Sequence, residues 1–291
     1  MKRFLKVLNN HLSNDEILSI AKQLNKSYYA YMLDSQVWKL LYDLFPLPLK
    51  SYLNKLESKE IGHNIVNDIL MNFYPCERLI KYYLVRDFIK NLDETTIFEM
   101  RVENSRLDIG RINGSSHVYE IKTELDSLNK LEKQVHDYSK VFEYITIVAH
   151  QKHIKKITDI VPTYCGIYSY ELQPNCCKLN IEKKEEKNPL INASVQLDTL
   201  TSKDLEFIID KYTNISIPAK RFEREKIISS KFNSEEINYF FKEAIKHRYN
   251  YRWNYIRESF NKINPIDIQE LYTGPIDPKL IYIKNSSMVV R

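Results

Sequence analysis

The chain has 291 residues, of which 43% are hydrophobic and 28% are charged, and its formal net charge is +5. This size and composition are typical of a water-soluble protein with one large domain or two modest ones. No apolar run approaches the roughly 18 residues that a membrane-spanning helix needs, so the sequence predicts no membrane partner. The N-terminal segment lacks the small-residue cleavage site of a secretory signal, which predicts a cytoplasmic location.

Glycine and cysteine usage exclude several further classes of protein. The five glycines are scattered, whereas P-loops and dinucleotide-binding fingerprints need them clustered, so any helicase or translocase activity must come from a separate partner. The four cysteines, Cys76, Cys165, Cys176 and Cys177, show no Cys-x-x-Cys spacing. They are predicted to be free, buried thiols.

The first two thirds of the chain alternate helical and strand-like patterns. Residues 1–70 are predicted to be mostly helical, and Pro75 suits the start of a helix that reaches about residue 90. Three strand-like runs follow, and then a helix that begins at Asp126 or Ser127 and ends near Phe142. The three runs are 95–103, 106–112 and 117–123. The apolar run Tyr144–Ala149 is typical of a strand at the centre of a sheet.

A helix through Ile154, Ile157 and Ile160 and a last strand over 164–170 complete this order, which predicts an α/β fold with a mixed sheet. Beyond a charged run at 183–187, helices are predicted over 197–212 and 234–262, with Ser202 and Ser234 as N-caps. The tail after Pro265 is predicted to form loops and short extended pieces. The predicted domains are a helical region (1–70), a central core (71–180) and a C-terminal helical region (190–291) that binds nucleic acid or a partner.

The candidate site lies in the strand-like runs around the turn at Asn113–Ser115. A short hairpin loop there would place Asp108 opposite Glu120, and strand alternation would put Lys122 on the same face as Glu120. Two close carboxylates are favourable when a divalent cation shares them, and their oxygens suit Mg²⁺ or Mn²⁺. Lys122 adds a charge that can stabilise a phosphate. The alternative interpretation is a surface hairpin whose charged side chains are solvated.

At these residues the chain resembles the PD-(D/E)XK nuclease superfamily, in which an Asp is followed by Glu-x-Lys on the paired strand. Gln134 and Tyr138, spaced to share one helix face, resemble the Gln-x-x-x-Tyr motif of its RecB-like branch. Glu77 occupies the place of a helical glutamate that many members put beside the metal. More loosely, the whole chain resembles small bacterial members with added helical regions. Leu107 stands where the superfamily motif has a proline.

The resemblance implies a restriction-endonuclease-like α-β-β-β-α-β core and a metal-dependent nuclease acting on DNA. In that interpretation Asp108, Glu120, the carbonyl of Ile121 and Glu77 hold the metal. Lys122 positions the water or the phosphate. Gln134 and Tyr138 contact the substrate or steady Lys122. Two alternatives remain open: an RNA-cleaving toxin or defence nuclease, with a separate defence partner, and a non-catalytic nucleic-acid-binding or assembly module on the same fold.

The segment 219–262 carries the basic excess of the chain, with eleven Lys or Arg against six Glu. Within it, Arg248, Arg252 and Arg257 alternate with aromatic residues. Such a segment can neutralise phosphates and stack on bases, so these arginines are candidate nucleic-acid contacts. The alternative is a packed, tyrosine-rich helix. Binding would then be expected around Lys130, Lys133 and Lys140.

Overall fold

A mixed six-stranded sheet is the central feature of the part of the chain that carries the candidate site. The computed structural model describes residues 2–173 and 176–284, and these divide into two units. The described residues of 1–83, 172–176 and 255–291 form unit 1, and those of 84–171 and 177–254 form unit 2. These limits do not coincide with the predicted domain limits at 70, 180 and 190, because helices after residue 190 share the hydrophobic core of the sheet.

Unit 1 is helical in its N-terminal part, as predicted. Its helices there are α1 (Lys2–His11), α2 (Asn14–Ser27), α3 (Asp34–Leu44), α4 (Leu47–Glu57) and α5 (Gly62–Phe73). Helix α2 begins at a capping box in which Glu16 Oε2 accepts from the backbone N–H of Ser13 at 2.8 Å. Helix α6 (Glu77–Phe88) starts two residues after Pro75 and passes from unit 1 into unit 2.

The C-terminal part of unit 1 differs from the sequence prediction. The tail after Pro265 was expected to be loop and extended chain, but it forms a 3₁₀ helix (Pro265–Asp267), a longer helix (Ile268–Thr273) and a helical turn (Pro278–Ile281). The expectation was wrong because these helices are too short to show a period, and packing of buried Ile268, Leu271 and Tyr272 stabilises them instead.

The sheet of unit 2 contains the predicted central strands. Its strands are β1 (Thr95–Phe98), β4 (Ile109–Ile112), β5 (Ser116–Lys122), β6 (Tyr144–His150), β7 (Gly166–Gln173) and β8 (Cys176–Lys183), in that spatial order. β4 runs antiparallel to β1 and β5, whereas β5, β6 and β7 are parallel. The apolar run at Tyr144–Ala149 is β6, at the centre, and its prediction is confirmed.

Two features of the strands were not predicted. The first run is interrupted at Glu99, which has a φ of 56°, and the chain continues in a separate hairpin of β2 (Arg101–Val102) and β3 (Ser105–Arg106). The strand predicted to be last, β7, is followed by β8 at the sheet edge. β8 was not predicted because most of its residues are polar or partly exposed, as is common on edge strands.

Helices cover the face of the sheet that carries the main core of unit 2. They are α7 (Leu131–Ser139), α8 (Ile154–Ile160), α9 (Ala193–Thr199), α10 (Ser202–Tyr212), α11 (Arg221–Lys231) and α12 (Ser234–Ser259), the last reaching into unit 1. The core joins sheet residues such as Val118 and Ile147 to Val135 of α7, Ile208 of α10 and Phe241 of α12. Burial of these apolar side chains is the main stabilising contribution.

The predicted helix limits need correction at several places. Residues 197–212 form two helices, because the backbone extends at Leu200 and Thr201, not Ser202, caps α10. Asn233, not Ser234, accepts from the first amides of α12. α7 begins at Leu131, because Asp126 accepts from the N–H of Thr123 and caps no helix.

Cysteine states and membrane character were also predicted. All the cysteines are free thiols, but only Cys76 and Cys165 are buried; Cys176 is exposed and Cys177 half-buried, which corrects the expectation of burial for this pair. Among residues 2–173 and 176–284, no helix has the length and apolarity to cross a bilayer.

A buried carboxylate in unit 1 makes the stability of the protein depend on pH. Asp267 is fully buried, and its Oδ2 accepts from the hydroxyls of Tyr28 (3.0 Å) and Tyr282 (2.7 Å). Burial raises the pKa of Asp267 to about 7, although the two hydroxyls oppose the shift. The folded state therefore binds this proton more tightly than the unfolded state, and its stabilising effect is lost as the pH rises from about 4 to about 7.

We expect Asp267→Asn to be more stable than the wild-type protein at pH 8 and to lose this advantage at pH 4.5. The amide keeps an acceptor for both hydroxyls but carries no charge, and linkage sets the upper limit of the gain at roughly 4 kcal/mol. Thermal unfolding of both proteins across this pH range measures it, with the exposed Asp15→Asn as control. Burial lowers the pKa of the nearby His63, but that group is common to both proteins and cancels in the comparison. A variant less stable at pH 8 would contradict the prediction.

Candidate functional site

The β4–β5 hairpin positions the candidate acidic residues. β4 ends at Ile112 and β5 begins at Ser116, and the loop between them includes Gly114 with a φ of 92°, a conformation that glycine adopts without strain. Ile109 pairs with Tyr119, so continuing the register by one residue places Asp108 opposite Glu120. This confirms the predicted register. Asp108 Oδ2 also accepts from the backbone N–H of Ile121 at 2.6 Å.

Glu120 and Lys122 lie on the sheet face that α7 covers. They pair in the parallel ladder with Ile147 and Ala149, which both belong to the core under α7. Their alternation with Ile121 is that of a regular strand. Glu120 is 1% exposed and Lys122 is 8% exposed, so the alternative of a solvated surface hairpin is wrong for this pair.

Gln134 and Tyr138 of α7 complete a hydrogen-bonded network around the Glu120 carboxylate. Glu120 Oε1 accepts from Lys122 Nζ at 2.7 Å and from Gln134 Nε2 at 2.6 Å. Glu120 Oε2 accepts from the Tyr138 hydroxyl at 2.9 Å, and Lys122 Nζ also donates to Gln134 Oε1 at 3.0 Å. The four side chains therefore meet, and Gln134 and Tyr138 share one helix face, as their spacing predicted.

Electrostatics in this network favour a charged lysine and a neutral tyrosine. Burial by itself lowers the pKa of Lys122, but the carboxylates of Glu120, Asp108 and Asp126 outweigh it, so the pKa is raised. Burial and the negative charge of Glu120 raise the pKa of Tyr138 far above its usual range. Lys122 is thus a cation and Tyr138 a hydrogen-bond donor at any physiological pH.

Two residues near Asp108 were not identified from the sequence. One carboxylate oxygen of Glu99 lies within 4.8 Å of one of Asp108. Glu99 also pairs with Arg106, whose Nε lies 2.6 Å from Glu99 Oε2. The β1–β4 register, in which Phe98 pairs with Ile109, brings Glu99 beside Asp108. Only the strand pairing could have revealed this, because the residues between them carry no recognisable motif.

The predicted metal ligands fall into two groups. Asp108, Glu120 and Ile121 belong to unit 2, whereas Glu77 begins α6 in unit 1. There Glu77 pairs with Lys81, a fully buried lysine that also donates to Gln269 Oε1 at 2.9 Å. The role of Glu77 as a metal ligand stays a prediction.

The donor set of unit 2 fits a hard divalent cation. Carboxylate oxygens of Asp108 and Glu99 lie within 4.8 Å of each other, and hard cations such as Mg²⁺ prefer oxygen ligands. The residues present therefore fit Mg²⁺ or Mn²⁺.

The three arginines predicted to contact nucleic acid are not in one environment. Arg248 and Arg252 lie in unit 2 and Arg257 in unit 1, all on α12. Arg248 Nε donates to Asp204 Oδ1 at 3.0 Å, and a terminal nitrogen contacts Asp204 Oδ2. Asp204 is 3% exposed, so this pair ties Arg248 to α10. The helix also buries Trp253 completely, which favours packing as one role of the segment. Nucleic-acid contact by these arginines stays a prediction.

The fold and the site define an α/β protein in which a buried Glu–Lys pair on a central strand is held by two side chains of one helix. The model of the bacteriophage P4 protein cII family matches residues 75–272, and the chain belongs to that family. Protein cII of Enterobacteria phage P4 is 26% identical over 181 residues, which are 62% of this chain and 69% of that protein.

A solved structure of a protein of unknown function from Silicibacter pomeroyi aligns with 45% of this chain, and the aligned part covers 90% of that protein's chain. Its TM-score is 0.29 at 12% identity, which does not establish a common fold.

Proposed function

We propose that this protein is a divalent-metal-dependent phosphodiesterase that cleaves nucleic acid, with DNA as the favoured substrate, on a restriction-endonuclease-like core. The observation that carries the proposal is the buried Glu120–Lys122 pair, which Gln134 and Tyr138 hold beside Asp108. The succession α6, β1, β4, β5, α7, β6, with β5 and β6 parallel, supports the proposed core.

In this proposal Asp108 and Glu120 hold the cation together with the carbonyl of Ile121, and Glu77 is a further ligand. A bound Mg²⁺ or Mn²⁺ supplies Lewis-acid stabilisation of the charge that develops on the scissile phosphate. Lys122 has three N–H donors, of which Glu120 and Gln134 occupy two. The third can donate to a phosphate oxygen. Gln134 and Tyr138 fix the orientation of Glu120, as partners of metal ligands commonly do.

The test is incubation of the purified protein with linear, circular and single-stranded DNA and with RNA, in Mg²⁺, Mn²⁺ or EDTA. We expect DNA to be cleaved with either metal and to remain intact in EDTA. Cleavage of RNA alone would replace DNA as the substrate and would favour a toxin or defence nuclease. Intact substrates under every condition would contradict the proposal.

A second candidate is a nucleic-acid-binding or assembly module without catalysis. One observation favours it: both Glu120 oxygens already accept hydrogen bonds from side chains of the protein, so the network is satisfied without a metal. Calorimetric titration with Mn²⁺ separates the two candidates. If the protein is the proposed enzyme, it should bind Mn²⁺, and Asp108→Asn should weaken this binding. If the network is purely structural, no Mn²⁺ binding is required.

A further inference from the structure

The β2–β3 hairpin presents two arginines side by side on its exposed face. Arg101 pairs with Arg106, and Val102 pairs with Ser105, across a turn at Glu103 and Asn104. Val102 and Ser105 are buried, whereas both arginines are exposed. Directly opposite residues of an antiparallel pair point to the same side, so the two guanidinium groups share one face.

The two positive charges repel one another, although Glu99 pairs with Arg106. Like charges directly opposite one another destabilise a hairpin. Arg106 Nε lies 2.6 Å from Glu99 Oε2, and the Arg106 side chain is 70% exposed, so its guanidinium is accessible from solvent. Arg101 is exposed, and among residues 2–173 and 176–284 its guanidinium forms no ion pair or side-chain hydrogen bond. Glu103, the acidic residue of the turn, pairs instead with Lys140, the residue that follows α7, at 2.6 Å.

The hairpin is attached directly to the candidate site. The Tyr138 hydroxyl that donates to Glu120 also lies 2.9 Å from the carbonyl oxygen of Arg106, and Asp108 follows Arg106 by two residues. On the buried side, Ser105 Oγ donates to Asp137 of α7 at 2.6 Å. Contacts to α7 on both sides of β3 therefore fix the arginine pair close to the site.

We propose that Arg101 and Arg106 form a clamp for the sugar–phosphate backbone of a nucleic acid, next to the phosphate that reaches Asp108 and Glu120. The proposal rests on the proposed function for its substrate class. Arginine suits this role because its planar fork binds a phosphate through two N–H groups. The Glu99–Arg106 contact orients the fork, and the Arg106 side chain stays 70% exposed.

The test measures binding of labelled single-stranded DNA, double-stranded DNA and RNA in EDTA, by fluorescence anisotropy at several salt concentrations. Because no metal is present, binding is separated from cleavage. We expect Arg101→Gln/Arg106→Gln to lower the log–log salt slope by about 1.4–1.8, and to weaken binding roughly 25- to 60-fold at 0.1 M salt, since each lost phosphate contact removes about 0.7–0.9 from the slope. Arg101→Lys/Arg106→Lys should keep most of the slope and lose part of the affinity.

A matched control is Lys155→Gln/Lys156→Gln, which removes two exposed positive charges from α8 in the same unit. It should change the slope less than the arginine variant does. Thermal unfolding checks the fold, because Arg106→Gln removes the partner of the Glu99 carboxylate as well as the repulsion between the two arginines. The clamp proposal would be overturned by an unchanged salt slope in the Arg101→Gln/Arg106→Gln variant. It would also be overturned if the lysine control lost as much of the salt slope as the arginine variant. Wild-type protein that binds in EDTA but cleaves nothing with metal would overturn the proposed function and leave the clamp standing.

Discussion

If the proposed function holds, Asp108→Asn is expected to lower the rate of nucleic-acid cleavage on the order of a thousandfold or more, because it removes the charge of the proposed metal ligand, an effect of several kcal/mol. The amide that replaces the carboxylate keeps an oxygen that can accept from the N–H of Ile121, so the hairpin should remain intact. The measurement is single-turnover cleavage with Mg²⁺, together with Mn²⁺ affinity by calorimetry.

The control for this variant is Asp159→Asn, which removes one exposed carboxylate from α8. It should cleave at the wild-type rate. Full activity of the Asp108→Asn variant would contradict the metal-site proposal, because cleavage would then not depend on the carboxylate that is proposed to hold the cation.

Glu120→Leu is expected to destabilise unit 2 by about 3–5 kcal/mol, the cost of leaving one partner of a buried ion pair uncompensated. Repulsion between Asp108 and Glu120 alone would predict a slight gain in stability. The structure reverses that expectation, because Lys122 is 8% exposed and pairs directly with Glu120. Lys122→Met in the same chain should recover much of the loss, since both charges are then absent.

The double-mutant cycle is measured by urea unfolding in a Trp38→Phe background. Trp253 is then the one tryptophan left in the chain, and it is buried in unit 2. Lys122→Met alone serves as the fourth corner of the cycle. Additive effects of the two substitutions would contradict the coupling between these side chains.

Much of the fold could be predicted from the sequence, because its signals are local. The period of apolar residues identified α2, α3 and α8, and the apolar run Tyr144–Ala149 identified the central strand β6. The hairpin register followed from the short loop around Gly114, because the loop length limits which residues can pair. The spacing of Gln134 and Tyr138 placed both on the face of α7 that meets Glu120.

Other elements carried no local signal. β8 is a polar edge strand, α11 is largely charged, and the short helices after Pro265 depend on packing. The arginines of α12 were singled out by composition, yet composition could not show that Arg248 is tied to the buried Asp204. Long-range partners of this kind depend on the whole fold.

The sequence by itself determined the residue types of the candidate site and the face of the strand on which Glu120 and Lys122 lie, because strand alternation and helix period are properties of the local chain. Only the tertiary structure decided that this pair is buried, that Glu99 lies beside Asp108, and that two arginines stand opposite each other on β2 and β3. Burial and strand pairing arise from contacts between distant segments, and these contacts set the charge state and the partners of each side chain.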